Sequence, residues 1–332
     1  MAKPKIYVTR QIFDEAVDRL REATDMKYWD SEMPPPRDVL LREVQDIDGL
    51  YCLLTEKIDA ELFDAAPNLR VVSNMAVGFD NIDVAEATKR GIPVGNTPGV
   101  LTETTADFAF ALLMAAGRRV VEGDRYTRAG NWKTWGPMVL LGQDIHGSTL
   151  GIIGFGRIGV EMAKRAKGFG MNIAYYDIFR NEAMEKAYDA TYCAQLKDLL
   201  AQADFVSVHV NLTPETRHLI NSETLSAMKS TAVLVNTSRG PVVDQAALYH
   251  ALKDGTIASA GLDVTEVEPI SMDDPLLTLE NVIVAPHIAS GSVVTRTKMS
   301  LMAVDNLLAG LNGEPLPNTP NPEARDVRAK MG

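Results

Sequence analysis

The chain has 332 residues, of which 46% are hydrophobic and 23% are charged, and its formal net charge at pH 7 is -11. That length suffices for two globular domains, and the composition argues against a disordered or fibrous chain. The acidic balance repels phosphate backbones and argues against a nucleic-acid-binding protein.

The two cysteines, Cys52 and Cys193, have neither zinc-ligand nor redox-motif spacing, so no metal site is expected. The chain has no apolar run long enough to span a bilayer, and it opens without the apolar core of a signal peptide. We therefore expect a cytoplasmic protein that does not bind membranes.

Short apolar runs alternate with amphipathic segments through the first hundred residues. They predict strands at 5–9, 50–54, 69–73 and 92–95, and helices at 12–20, 62–66 and 83–90. Alternating strands and helices are typical of a parallel sheet in an α/β domain.

The most informative segment lies between residues 149 and 177. A short apolar strand, 150–153, runs directly into Gly154-Phe155-Gly156-Arg157-Ile158-Gly159, and a helical pattern follows. Gly154 permits a tight turn, Gly156 lets a pyrophosphate approach the backbone, and Gly159 lets the helix pack on its strand. A second apolar run ends in Asp177, about where an acidic side chain would meet the ribose hydroxyls. The segment predicts a dinucleotide site with the phosphates at the helix N-terminus.

Further strands are predicted at 205–210, 232–236, 258–263 and 282–285, which gives six strands and fits two βαβαβ halves. Long helices at 102–117 and 292–311 are expected to be the two crossings between domains. We predict two doubly wound parallel-sheet α/β domains, with a Rossmann-type cofactor domain (100–291) inserted into a flavodoxin-like substrate domain (1–99 and 292–332). The proline-containing tail beyond Asn312 is expected to be extended or partly disordered.

Three polar clusters follow the later strands, at the edge where open α/β sheets bind ligands. Arg239 stands just beyond a buried strand, and its planar guanidinium suits a carboxylate with an adjacent carbonyl oxygen. A surface arginine or a structural ion pair is the alternative. Glu268 lies in an acidic loop, where Glu266 is expected to be solvated, and His287 follows the last strand. Glu268 is available to orient His287, although a lone histidine at such a position is more often structural.

These residues, with a nicotinamide hydride donor, supply what reduction of a 2-oxo acid requires. His287 is predicted to be the acid, Arg239 the carboxylate anchor and carbonyl polariser, and Glu268 the partner that favours the imidazolium form of His287. The motifs of zinc proteases, serine hydrolases and phosphate-loop enzymes are absent from the sequence.

The chain resembles the D-isomer-specific 2-hydroxyacid dehydrogenases over nearly its whole length, with the glyoxylate/hydroxypyruvate reductases as the most similar subgroup. Five motifs carry the resemblance: 75–83 (MAVGFDNID), Gly154 to Gly159, 236–244 (NTSRGPVVD), Asp263 with Glu268-Pro269, and 286–290 (PHIAS). It implies reduction of glyoxylate or hydroxypyruvate to the D-2-hydroxy acid.

The resemblance also implies roles for individual residues. Arg239, Glu268 and His287 would be the catalytic set, and the backbone amides of Val77 and Gly78, with Arg239 and His287, would bind the substrate. Besides the fingerprint glycines and Asp177, the implied cofactor contacts are Thr105, Arg157, Ile158, Pro214, Thr237 and Asp263. Without the family context, Thr105 would be a first-turn helix residue and Pro214 a turn residue.

The family is usually dimeric through its cofactor domain, so a homodimer is implied. The apolar segment 130–142 is suited to an interface arm, although it could equally pack on its own core.

Asp177 favours NAD(H), because its carboxylate accepts hydrogen bonds from ribose hydroxyls and repels a 2'-phosphate. Arg180 nearby keeps NADP possible.

Among alternative functions, those of phosphoglycerate dehydrogenase and other D-2-hydroxyacid dehydrogenases use the same catalytic set. Many phosphoglycerate dehydrogenases carry an added regulatory domain, for which this chain is expected to have no room. A dinucleotide-gated, corepressor-like binding module uses the same fold, but the intact Arg239, Glu268 and His287 set favours catalysis.

Overall fold

The computed structural model describes residues 2–331. The chain divides into two compact units. The first unit combines the residues up to Leu101 with those from Ser292 onward, and the inserted unit is Thr102–Gly291.

The first unit contains a five-stranded parallel sheet in the order β2-β1-β3-β4-β5, the flavodoxin-like order. Its N-terminal part consists of β1 (Lys5–Val8), α1 (Asp14–Ala23), β2 (Asp25–Tyr28), α2 (Arg37–Glu43), β3 (Gly49–Cys52), α3 (Ala60–Ala65), β4 (Val71–Asn74), α4 (Val84–Lys89) and β5 (Val94–Gly95). β3 and β4 are buried throughout, including the polar Ser73 and Asn74 at the end of β4, whereas the edge strand β2 alternates between exposed and half-buried residues. β2 has only four residues, and so short an alternating run was not recognised as a strand in the sequence.

The inserted unit contains a seven-stranded parallel sheet in the order β12-β11-β10-β9-β6-β7-β8. Its elements are α5 (Thr102–Gly117), α6 (Val120–Arg128), β6 (Thr149–Ile153), α7 (Arg157–Gly168), β7 (Asn172–Tyr176), α8 (Glu182–Tyr188), β8 (Ala190–Tyr192), α9 (Leu196–Gln202), β9 (Phe205–Val208), α10 (Ser222–Ser226), β10 (Val233–Asn236), α11 (Gln245–Lys253), β11 (Ser259–Leu262) and β12 (Val282–Val284). The strand order reverses between β6 and β9, which is the switch point of a Rossmann-type sheet.

The prediction of two parallel-sheet α/β domains, a Rossmann-type domain inserted into a flavodoxin-like one, is confirmed. The predicted count of six strands in the Rossmann-type sheet was wrong. The seventh strand, β8, pairs with β7 and has only three residues. So short a run at a sheet edge has too little apolar periodicity to be recognised in a sequence.

The chain returns to the first unit through α12 (Val293–Leu311) and ends in α13 (Ala324–Met331). Ser292 caps α12 by accepting a hydrogen bond from the Thr295 N–H, and the helix packs against α1, β3 and β4. The expectation of an extended or disordered tail was wrong for α13 and for Asn321, which is fully buried and accepts a hydrogen bond from the Val94 N–H (2.9 Å). Within residues 2–331, none of the helices combines the length and apolarity needed to cross a membrane.

Candidate active site

His287 and Glu268 form a hydrogen-bonded pair in the inserted unit. The His287 Nδ1 lies 2.8 Å from the Glu268 Oε2, and both side chains are about one-third exposed or less (26% and 34%). The other Glu268 oxygen accepts a hydrogen bond from the Thr265 N–H (3.2 Å). The carboxylate is thus held from the side opposite the ring, and the pair has the geometry of an oriented acid or base.

Asp263 fixes the segment that carries His287. Its two carboxylate oxygens accept hydrogen bonds from the N–H groups of Ile288 and Ala289, both at 2.7 Å, and its own carbonyl accepts one from the His287 N–H (2.8 Å). The side chain is almost completely buried, and burial raises the pKa of its carboxyl while the two N–H donors oppose that change. His287 itself has a left-handed backbone conformation (φ 55°), which these hydrogen bonds maintain.

Arg239 lies in the turn that follows β10. The fully buried Asn236 closes this turn: its amide donates to the Arg239 carbonyl (3.0 Å), and its oxygen accepts from the Ser238 N–H (3.0 Å). The turn continues into a short 3-10 helix, Gly240–Val242. Gly240 is pressed against the loop that leads to Glu268, since a Cβ at this position would lie 1.8 Å from the Thr265 carbonyl oxygen. The Arg239 turn and the Glu268 loop are therefore packed backbone to backbone.

A second histidine–carboxylate pair holds the same loop. The His218 Nε2 lies 2.7 Å from the Glu266 Oε1, and the Glu266 N–H donates to the Gln245 side chain (2.9 Å). The expectation that Glu266 is solvated was therefore wrong. The partners are 48 residues apart in the chain, and no local pattern predicts contacts over such a separation.

The glycine fingerprint has the geometry that the sequence predicts. Gly154 has a positive φ (90°), and a Cβ there would lie 2.7 Å from the His209 carbonyl oxygen. A Cβ at Gly159 would lie 2.1 Å from the Gly154 carbonyl oxygen, so only glycine lets α7 approach its strand. At Gly156, the residue before α7, a Cβ would meet nothing within 4 Å. That open space at a helix N-terminus fits an approaching pyrophosphate.

Asp177 links the end of β7 to this fingerprint. Its carboxylate oxygens accept hydrogen bonds from the N–H groups of Phe155 (2.6 Å) and Phe179 (3.1 Å). Arg180, in contrast, is engaged by Glu185 through two hydrogen bonds of 2.8 and 2.9 Å, and its guanidinium lies over the Tyr192 ring. The hydrogen bonds from Arg180 and from the Tyr175 hydroxyl lower the pKa of Glu185 to about 2, so Arg180 has a fully ionised partner.

The other implied cofactor contacts all lie in the inserted unit. Thr237 follows β10, and its buried hydroxyl has no hydrogen-bond partner among the described residues. An orphaned hydroxyl beyond the strand ends fits an incoming polar ligand. Thr105 is buried in the first turn of α5, Arg157 and Ile158 begin α7, and Pro214 is exposed after β9.

Val77 and Gly78 belong to the first unit, in the turn after β4. Both are half-buried, and their carbonyls accept hydrogen bonds from the side-chain amides of Asn96 (2.8 Å) and Asn74 (3.0 Å). The sequence alone showed this segment only as a glycine-containing loop. Nothing in it pointed to the two asparagines, which come from β4 and from the residue after β5.

The fold, the dinucleotide fingerprint and the histidine–glutamate pair define a nicotinamide-dependent dehydrogenase of the α/β class. Residues 110–289 match the model of the D-isomer specific 2-hydroxyacid dehydrogenase, NAD binding domain. The chain belongs to this family, and its inserted unit is the NAD-binding domain.

Similar proteins over the full length include glyoxylate reductases. That of Korarchaeum cryptofilum is 59% identical over 327 residues, covering 98% of both chains, and that of Aeropyrum pernix is 49% identical, covering 99% of both. Among solved structures, an NADPH-dependent glyoxylate/hydroxypyruvate reductase from Sinorhizobium meliloti, in complex with NADP and malonate, is 36% identical with a TM-score of 0.85. That match covers 97% of this chain and 98% of the other.

Proposed function

We propose that the protein catalyses the NADH-dependent reduction of glyoxylate or hydroxypyruvate to the corresponding D-2-hydroxy acid. The observation that carries the proposal is the His287–Glu268 pair at 2.8 Å, in a chain 59% identical to a glyoxylate reductase. The bound cofactor supplies the hydride, and the protein must supply a proton and hold the substrate.

His287 is the proton donor in this proposal. Glu268 engages Nδ1, and in this proposal the opposite ring nitrogen, Nε2, donates the proton to the substrate carbonyl oxygen. The Glu268 carboxylate keeps the imidazole ring oriented towards the substrate in this proposal. Arg239 binds the substrate carboxylate and polarises the carbonyl, since its fork matches two neighbouring oxygens. The amides of Val77 and Gly78 bind the same carboxylate.

The cofactor-binding set is Thr105, Gly154, Gly156, Arg157, Ile158, Gly159, Asp177, Pro214, Thr237 and Asp263. NADH is preferred over NADPH because Asp177 stands at the end of β7 and Arg180 is already paired with Glu185. A 2'-phosphate would have to displace Glu185 from the guanidinium before it could bind there. NADP remains a possible second cofactor.

Residues 1–99 and 292–332 are assigned to substrate binding and residues 100–291 to cofactor binding.

The protein also forms a homodimer in this proposal. Support comes from the loop after α6, where large apolar side chains are exposed: Trp132, Trp135, Met138 and Leu141. An apolar patch of this kind is typical of an interface. Multi-angle light scattering of wild type and Trp135→Lys tests this; a monomeric wild type contradicts it. The cytoplasmic location stays a prediction.

The activity is tested by NADH and NADPH oxidation at 340 nm with glyoxylate, hydroxypyruvate, pyruvate and a branched 2-oxo acid. Turnover of glyoxylate or hydroxypyruvate with NADH preferred is the expected result. Preference for NADPH would shift the cofactor assignment to Arg180. NADH binding without turnover of any acid would contradict the proposed activity and favour a dinucleotide-gated binding module.

A further inference from the structure

Three consecutive carbonyls of the turn after β4 are each held by a defined donor. The Ala76 carbonyl accepts from the Thr97 N–H (2.8 Å), the Val77 carbonyl from the Asn96 side-chain amide (2.8 Å), and the Gly78 carbonyl from the Asn74 side-chain amide (3.0 Å). All three donors come from buried residues. Hydrogen bonds from buried residues to these three carbonyls therefore hold the turn in place.

Fixing a carbonyl also fixes the N–H of the following residue. In a planar trans peptide the two groups point in opposite directions. The Ala76 carbonyl thus determines the direction of the Val77 N–H, and the Val77 carbonyl determines that of the Gly78 N–H. Both N–H groups point away from the buried donors, on the half-exposed residues of the turn. Successive N–H groups directed outward form an anion-binding concavity.

Asn96 is itself held by a second buried asparagine. The Asn306 side-chain amide donates to the Asn96 carbonyl (2.9 Å), and the Asn306 oxygen accepts from the Asn318 N–H (3.0 Å). Asn306 is fully buried on α12, and a Cβ at Gly95 would lie 2.6 Å from the Asn306 Cβ. The strand end that carries Asn96 is therefore packed directly against α12, with no room for either to shift.

We propose that Asn96 is a positioning residue for the substrate carboxylate, and that Asn306 holds it in place. The inference rests on the proposed function, in which the amides of Val77 and Gly78 bind that carboxylate. Asn96 does not touch the substrate; it acts by fixing the peptide plane between Val77 and Gly78. Without it, the Gly78 N–H is free to rotate and loses its preorganised direction.

Another buried asparagine of the same unit provides a matched control. Asn321 is as buried as Asn306 and also ties the C-terminal segment to the sheet, through the Val94 N–H (2.9 Å) and the Ile92 carbonyl (3.2 Å). It donates nothing to the Val77–Gly78 turn. Its loss should therefore affect stability without affecting carboxylate binding.

The test compares Asn96→Ala, Asn306→Asp and Asn321→Ala with wild type. Measured are KM and kcat for glyoxylate, the affinity of the NADH complex for oxalate, the Kd of NADH and the Tm. We expect Asn96→Ala to raise KM and weaken oxalate binding by about 10- to 100-fold, the effect of one misdirected hydrogen bond to a charged group. The kcat at saturating glyoxylate should fall less than about threefold, and the Kd of NADH should change less than about twofold.

Asn306→Asp keeps the acceptor for Asn318 but loses the donor to Asn96, so we expect a smaller rise in KM of the same kind. It also provides the measurement if Asn96→Ala does not fold. Asn321→Ala should lower the Tm and leave KM within about twofold of wild type. Unchanged oxalate affinity in both Asn96→Ala and Asn306→Asp, or an equal loss in Asn321→Ala, would overturn the proposal.

Failure of the proposed function gives a different result. If wild type reduces no 2-oxo acid, the activity is wrong, but oxalate titration into the NADH complex still tests the positioning role. Oxalate bound equally by wild type and Asn96→Ala, or not bound at all, would then overturn it.

Discussion

Gly240→Ala tests whether the Arg239 turn and the Glu268 loop act as one unit. The new Cβ would lie 1.8 Å from the Thr265 carbonyl oxygen and 2.0 Å from its carbon. Carbon and oxygen atoms ordinarily approach no closer than about 3.3 Å, so the two segments must separate by roughly 1.5 Å. Both neighbours are backbone atoms, and no flexible side chain can give way.

A displacement of that size should reduce catalytic activity more than it reduces the stability of the fold. A misplacement of about 1 Å in an active site lowers the rate by about 10²-fold, whereas overpacking typically costs about 1–3 kcal/mol of stability. We therefore expect Gly240→Ala to lose about 100-fold or more in kcat/KM for glyoxylate while remaining folded at 25 °C. The loss in NADH affinity should be smaller than the loss in kcat/KM, since the glycine fingerprint follows β6 and does not belong to either displaced segment.

The assay is steady-state NADH oxidation at 340 nm, together with a thermal melt and an NADH fluorescence titration. Gly168→Ala is the matched control, because a Cβ at that last residue of α7 would meet nothing within 4 Å. That control should have wild-type activity and equal or higher stability. If Gly240→Ala has a kcat/KM within about threefold of wild type, the argument from backbone packing is wrong.

Three further changes have defined outcomes. Glu185→Gln removes the ionised partner of Arg180, so the ratio of NADPH to NADH kcat/KM should rise about tenfold; an unchanged ratio would show that Arg180 cannot reach a 2'-phosphate. Asp263→Asn turns one acceptor into a donor facing a backbone N–H. The free energy of unfolding measured in urea should therefore fall by about 1–3 kcal/mol, and kcat should fall as well. A variant as stable and active as wild type would contradict this. Burial opposes ionisation of Asp59, but hydrogen bonds from Lys57, Arg37 and the Leu62 N–H lower its pKa to about 2. Its stabilising effect is therefore present above its ordinary pKa of 3.8 and is lost as the pH falls towards 2. Asp59→Asn should lower the free energy of unfolding by about 1 kcal/mol at pH 7 and leave it unchanged near pH 2. An equal loss of stability at both pH values would contradict the stabilising role given to the ionised Asp59 carboxylate.

Local patterns in the sequence were sufficient for most of the fold. β6, the glycine fingerprint and α7 follow one another without interruption, so apolar periodicity and the special roles of glycine predict the dinucleotide fold directly. The short or polar elements were missed. β2 and β8 are edge strands of only four and three residues, too short for a periodic pattern to be recognised. α13 follows a proline-containing segment that resembles a disordered tail.

For the candidate site too, the sequence predicted some features and missed others. The types and positions of Arg239, Glu268 and His287 indicate their chemistry, because each follows a strand of a parallel sheet. The groups that hold them could not be predicted. Glu266 pairs with His218 from 48 residues away, and Asn306 supports Asn96 from 210 residues away. Such contacts depend on tertiary packing and leave no local pattern.

The central claim, that His287 supplies the proton during reduction of a 2-oxo acid, is tested most directly by His287→Ala. His146→Ala, a change at an exposed histidine of the same unit, is the matched control. Glyoxylate reduction and NADH affinity are measured side by side for both variants and wild type. A general acid contributes about 10²- to 10⁴-fold, so His287→Ala should lose that much in kcat while its Kd for NADH changes less than about threefold. Comparable losses in kcat and in NADH affinity, or a kcat equal to that of His146→Ala, would contradict the account.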